Sequence, residues 1–130
     1  MFPEVQRLVD SGYHVIPIMS EISYVTDTRF GTAEEHRNKL ESITGNSIIC
    51  GIKEAEPIGP KKMLDALIIA PCTGNTTAKL AHGIADTTVT LAAKSHLRNK
   101  RPIIIGVSTN DGLGVNAKNI GILLARKYIY

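Results

Sequence analysis

The sequence predicts a doubly wound α/β domain whose parallel strands are joined by right-handed helical crossovers. Two short apolar runs, residues 66–70 (ALIIA) and 102–107 (PIIIGV), are continuous rather than alternating. Continuous runs mark parallel strands covered on both faces. Stretches of helical period lie between and around them, and strands alternating with helices leave few other topologies open. The 130 residues suit one domain with a core of its own.

Taken in order, residues 1–10 carry apolar side chains at Phe2, Val5, Leu8 and Val9, which is helical spacing. Pro3 is tolerated in a first turn, and Gly12 is a candidate left-handed cap. Residues 13–19 (YHVIPIM) read as a strand that Pro17 demotes to an edge, because proline cannot donate to a ladder. Residues 20–31 are polar and irregular. Thr32, with Glu35 three residues on, makes a capping box for a helix to about Thr44, which Gly45-Asn46 stops. Residues 47–52 form a short strand, and 54–62, with Pro57, Gly59 and Pro60, a loop. A helix from Thr76 to about Ala85 shows a narrow face of Ala78, Ala81 and Ala85. Asp86 is placed to cap a second helix through about Arg98. A Gly-rich loop at 108–115, a helix over 116–127 and the start of a strand at 128–130 complete the chain.

Composition narrows the function classes. With 43% hydrophobic and 21% charged residues the chain is of globular type. No apolar run approaches the roughly 20 residues of a membrane span, and no signal-peptide pattern opens the chain. Cys50 and Cys72 have neither metal-type spacing nor a disulfide framework, so a cytoplasmic, reducing setting is expected. The net charge is +3, densest at Lys94, His96, Arg98, Lys100 and Arg101. Without aromatic stacking residues beside them, these read as a solvated helix end rather than a nucleic-acid patch.

In a doubly wound sheet, ligands bind outside the carboxyl ends of the strands. Residues 71–76 and 108–116 lie there, with Ser20 as a third position. Pro71-Cys72-Thr73-Gly74-Asn75-Thr76 leaves a strand and enters a helix, so its N–H groups face an anion or a polar ring edge. Gly74 allows close backbone approach. A plain helix cap by Thr73 or Asn75 explains the same residues equally well. Neither GxGxxG nor GxxxxGK[ST] occurs. Cys72 lacks a nearby His and acid, and His82 lies mid-helix, so packing explains both better than catalysis. Asn110 and Asp111 lean towards function, because loops in that position line clefts.

The segment IAPCTGNTTAKLAHGIADTTVTLAAK resembles the motif of the FMN-binding flavoprotein family, which includes cysteine decarboxylases and UbiX-like flavin prenyltransferases. VIPIMSEIS resembles its second strand. Within the family, TRFG, AEPIGPKKMLDALIIAPCTGN, RNKRPIIIGVSTNDGLGVNAKNI and the final KYIY look most like the dipicolinate synthase B-subunit group. The resemblance covers nearly the whole chain. It implies a mostly parallel, Rossmann-like (flavodoxin-like) three-layer sheet and a flavin pocket. Ser20 matches the phosphate-contacting hydroxyl. Pro71, Cys72, Thr73, Asn75 and Thr76, around Gly74, match the flavin cradle. Ser108 and Thr109 match the segment beside the ring, and Asn110, Asp111 and Asn116 are candidates for substrate contact. It further implies a partner A subunit carrying NADP, dihydrodipicolinate as substrate, a homo-oligomer, and the mother cell of a sporulating bacterium.

Three departures accompany the likeness. The family's first strand and its phosphate-binding turn precede the point where this chain begins, which implies exposed ladder groups in mid-sheet. The decarboxylases' Met- and Asn-containing clamp and the prenyltransferases' Arg-rich loop are missing. Family members also continue past residue 130, so the expectation is a single domain shortened at both ends. A stand-alone FMN-dependent decarboxylase or prenyltransferase, kept open by Cys72 and His82, and a non-catalytic partner-binding domain are the competing readings.

Overall fold

The computed structural model describes residues 1–130. It is a mixed α/β fold around a parallel pair, β1 (Leu67–Cys72) and β2 (Ile103–Val107). Leu67, Ile68 and Ile69 align with Ile103, Ile104 and Ile105, and the register shifts between Ile69 and Cys72, across a cis Ala70–Pro71 peptide. Ile129 bridges Ile103 in parallel, so residues 128–130 extend the sheet as the sequence predicts. A separate parallel bridge joins Ile18 to Ile49. No ladder connects that bridge to β1, whose outer edge is unpaired. Ile18 instead packs by its side chain on the core of Leu67, Ile69, Cys72, Ala93 and Ile103.

Helices α1 (Phe2–Asp10), α2 (Glu21–Val25), α3 (Ala33–Thr44), α4 (Ile52–Ala55), α5 (Gly74–His82), α6 (Thr88–Leu97) and α7 (Asn116–Leu124) fill the connections. The Thr32–Glu35 capping box forms as read, and Gly45 closes α3 in the left-handed region. Ala55, Ile58 and Ala92 make a second small core under α6.

Several expectations are corrected. Residues 13–19 and 47–52 supply one bridge rather than two strands. Ile49 N–H donates to Pro17 and Met19 N–H to Ile49. Pro17 points its nitrogen to the same side as Met19, so the ladder cannot continue past it. The polar stretch after residue 19 contains α2, capped by Ser20, and residues 52–58 are α4 followed by a 3₁₀ turn. Helix α5 starts at Gly74 under a Thr73 cap, and α7 ends at Leu124. Thr87, not Asp86, caps α6, in a reciprocal pair with Thr90. Asp86 instead meets Lys79 at 2.9 Å, a hydrogen bond that holds its carboxyl below the usual range. The sheet is covered unequally. Leu67, Ile69 and Ile103 are buried, while Ile68 and Ile104 on the opposite face are 51% and 45% exposed.

The basic stretch also resolves. Arg101 donates to the Lys62 and Leu64 carbonyls, and His96 is fully buried. His96 Nε2 lies 3.0 Å from the Pro102 carbonyl, while Nδ1 has no partner. Burial holds its pKa below the usual 6.5, and nothing is positioned to accept a second proton. A histidine with a lowered folded pKa takes up its proton mainly on unfolding, so stability falls as pH drops below about 6.5 and levels off under the folded value. Urea unfolding at about pH 7.5 and about pH 5.5 is expected to show this loss, and His96→Gln to flatten it.

Candidate functional site

Two loops meet at the carboxyl ends of β1 and β2. Ser108 N–H donates to the Cys72 carbonyl, which ties the exit of β2 to that of β1. Beyond it, one oxygen of Asp111 accepts from Thr109 Oγ1 at 2.5 Å and from Asn116 Nδ2 at 2.9 Å. Asn119 Nδ2 donates in turn to Asn116 Oδ1 at 2.9 Å. These bonds, the Thr109 one first, hold Asp111 below the ordinary carboxylate range. The clamp leans on Gly74. A Cβ at that position would lie 2.7 Å from both Asn116 Nδ2 and Thr109 Oγ1. Glycine is therefore required by the approach of the second loop, not by its own backbone angles.

The α5 N-terminus faces this junction. Thr73 accepts from Thr76 N–H, and Thr77 N–H reaches the Thr73 carbonyl. No acceptor within the chain takes the N–H groups of Gly74 and Asn75, nor the exposed Asn75 side chain. The even choice left by the sequence divides between the two residues. Thr73 is the cap, and Asn75 is free to meet a ligand.

The other candidates fall in four groups. Pro71, Ser108 and Asn110 are exposed along the junction's rim. Cys72 is buried against Thr77 Oγ1 at 3.4 Å, and burial pushes its thiol pKa up. It packs rather than attacks. Asp111 and Asn116, read as substrate contacts, are committed to each other. Asn116 is buried behind this bond, while the second Asp111 oxygen takes no hydrogen bond from the chain. Ser20 caps α2 through the Ser23 N–H, and no hydrogen bond links it to the junction.

Two participants lie outside the sequence reading. Asn119 extends the clamp, and its spacing from Asn116 by three residues on one helix is the available signal. Glu21 reaches across the chain to the first turn of α6, accepting from Thr88 N–H at 3.1 Å and Thr88 Oγ1 at 2.8 Å. Thr88 Oγ1 also accepts from Gly51 N–H at 2.7 Å. Desolvation pushes the Glu21 pKa up, but its backbone and Thr88 hydrogen bonds outweigh this and leave it lowered. Contacts 67 residues apart leave no trace in sequence spacing.

Comparison with known proteins places these loops in a family. The Flavoprotein family model matches residues 1–120. The chain belongs to the Flavoprotein family. It is 44% identical over all 130 residues to the dipicolinate synthase B subunit of Bacillus subtilis, and spans 65% of that relative's length. The crystal structure of the dipicolinate synthase B subunit from Bacillus halodurans matches at a TM-score of 0.89 and 45% identity, covering 100% of this chain and 67% of that one. AnUbiX, solved in complex with FMN and dimethylallyl pyrophosphate, shares the fold at a TM-score of 0.71 and 17% identity, over 98% and 66% of the two chains. The flavodoxin-like, Rossmann-like fold expected from the sequence is thus the fold of this Flavoprotein chain. None of its helices is long and apolar enough to cross a membrane.

Proposed function

We propose that this Flavoprotein chain acts as a B-type subunit of dipicolinate synthase, with a flavin-type ring held at the junction of residues 73–76 and 108–111. The observation that carries this reading is the 44% identity sustained across all 130 residues with the Bacillus subtilis protein. The donor set fits the group. Free N–H groups at Gly74 and Asn75 suit ring carbonyls or a phosphate, and the Asn75 amide suits a ring edge. Ser108 and Thr109 border the same opening.

The reaction is the oxidation of dihydrodipicolinate to dipicolinate. Two electrons and one proton leave the dihydrodipicolinate ring as a hydride to NADP⁺ on a partner A subunit, and a second proton goes to solvent. When bound, a flavin would supply a flat aromatic face beside which the substrate ring is positioned, with NADP⁺ the only terminal electron acceptor. The buried, protonated Cys72 favours this non-covalent role over thiol catalysis. The likeness to the Bacillus subtilis subunit supports assembly with the A subunit and with further copies of this chain, in the mother cell of a sporulating bacterium.

Mixing the chain with the A subunit, NADP⁺ and dihydrodipicolinate is expected to form dipicolinate only when both proteins are present, followed by its ultraviolet absorbance. Formation by the A subunit alone at the same rate contradicts the proposal. Asn75→Asp is expected to weaken FMN binding about ten-fold by fluorescence titration, because amide donors become an acceptor-only carboxylate. Folding stability should hold or rise slightly, since an acid suits a helix N-terminus.

A further inference from the structure

The end of the sheet opposite the flavin junction carries a second feature. Between α5, α6 and β2 lies a cavity of about 290 Å³. Its floor is apolar, built from Leu80, Ala93, Leu97, Ile103, Ile105 and Ile129, with Ile84 at the mouth. Lys79, Lys94, Arg98 and Arg126 stand around it, and no carboxylate lines it. Asp86 neutralises Lys79 at 2.9 Å. The other three cations take part in none of the chain's ion pairs, although Arg126 donates one hydrogen bond to the Leu80 carbonyl at 3.3 Å.

Cations at helix C-termini ordinarily offset the helix dipole, and magnitudes decide whether that is enough here. Helices α5, α6 and α7 all end on this side, each contributing roughly half a negative charge. About one and a half negative charges face three unpaired positive ones, so a positive surplus remains. A cationic rim alone is satisfied by water, and an apolar floor alone by any hydrocarbon. Together they select a ligand with both parts.

We infer that this cavity is a binding site for a small anionic amphiphile, with an apolar body on the isoleucine floor and a carboxylate at Lys94, Arg98 and Arg126. At about 30 Å³ per water-sized unit the space takes about ten heavy atoms, the size of octanoate. The inference is independent of the flavin reading, because no residue is shared.

The test follows isoleucine methyl resonances of the full chain during titration with octanoate and, separately, octanol. Octanoate is expected to shift Ile84, Ile105 and Ile129 saturably while Ile48 and Ile58 stay in place. Octanol, with the same tail and no charge, is expected to bind about ten-fold more weakly. Lys94→Glu combined with Arg98→Glu should remove that difference, and so should raised salt. Both side chains are exposed, and the milder Lys94→Gln, Arg98→Gln pair serves if charge reversal impairs folding. Unmoved methyls, equal binding of the two ligands, or indifference to both variant pairs overturns the inference.

Discussion

Thr88→Val is expected to lower the unfolding free energy by about 2–4 kcal/mol. Valine fills the same space, so no cavity contributes and the loss is purely polar. The hydroxyl gives Glu21 Oε1 a 2.8 Å bond and takes a 2.7 Å bond from Gly51 N–H, both from a fully buried position. Bonds to a charged partner contribute about 1.5–3 kcal/mol, and a stranded buried donor costs about 1–3 kcal/mol. Glu21 keeps the Thr88 N–H, and Gly51 is only partly buried, which holds the total to the lower half of that sum. Thr88→Ser keeps both bonds and should cost about 1 kcal/mol for one methyl. Because the Glu21 pKa is lowered in the folded chain, its share is present above about pH 4.5 and fades as pH falls through the folded value. Urea unfolding of Thr88→Val within about 0.5 kcal/mol of the parent would show that the three-way contact does not bind α2, α4 and α6 together.

Gly74→Val should reduce FMN affinity by about a hundred-fold or more while costing about 1–3 kcal/mol of stability. A side chain there meets Thr109 Oγ1 and Asn116 Nδ2 at 2.7 Å from its Cβ. Both atoms are ends of side chains that elsewhere could rotate away, yet each is pinned to the same Asp111 oxygen. Room is made only by opening the clamp, which swings residues 108–111 from the ring position. Asp111→Asn offers a useful contrast. It removes the charge that both donors share, loosens the loop and weakens FMN without adding bulk at Gly74. Full FMN affinity in Gly74→Val would place the ring elsewhere.

Much of the architecture is legible in the sequence because it is local. The continuous runs at 66–70 and 102–107, the Thr32–Glu35 box and the Gly45 cap each announce themselves within a few residues. Whatever depends on distant partners is not. Pro17 reads as an edge residue in sequence, but only the side on which Met19 pairs with Ile49 shows why one bridge forms. Asp86 has the acceptor chemistry of a cap, yet Thr87 takes that place with Thr90 while Lys79 draws the carboxylate aside. The site shows the same division. Residues 73–76 read as donors because a strand exits there into a helix. Asp111 and Asn116 read as contacts to ligand, because sequence cannot show that the two side chains are bonded to each other through one Asp111 oxygen. Cys72 has no base near it in the sequence, and in the fold it packs against Thr77.

In the proposed function, the open α5 N-terminus and the clamped 108–111 loop together receive a flavin ring. Amide NMR of the full chain during FMN titration tests this most directly. Saturable shifts are expected at the Gly74 and Asn75 N–H groups, accompanied by Ser108 and Thr109, with little change at residues around the opposite cavity such as Arg98 and Ile129. FMN that binds without moving Gly74 and Asn75, or that leaves every amide in place, contradicts this placement of the ring.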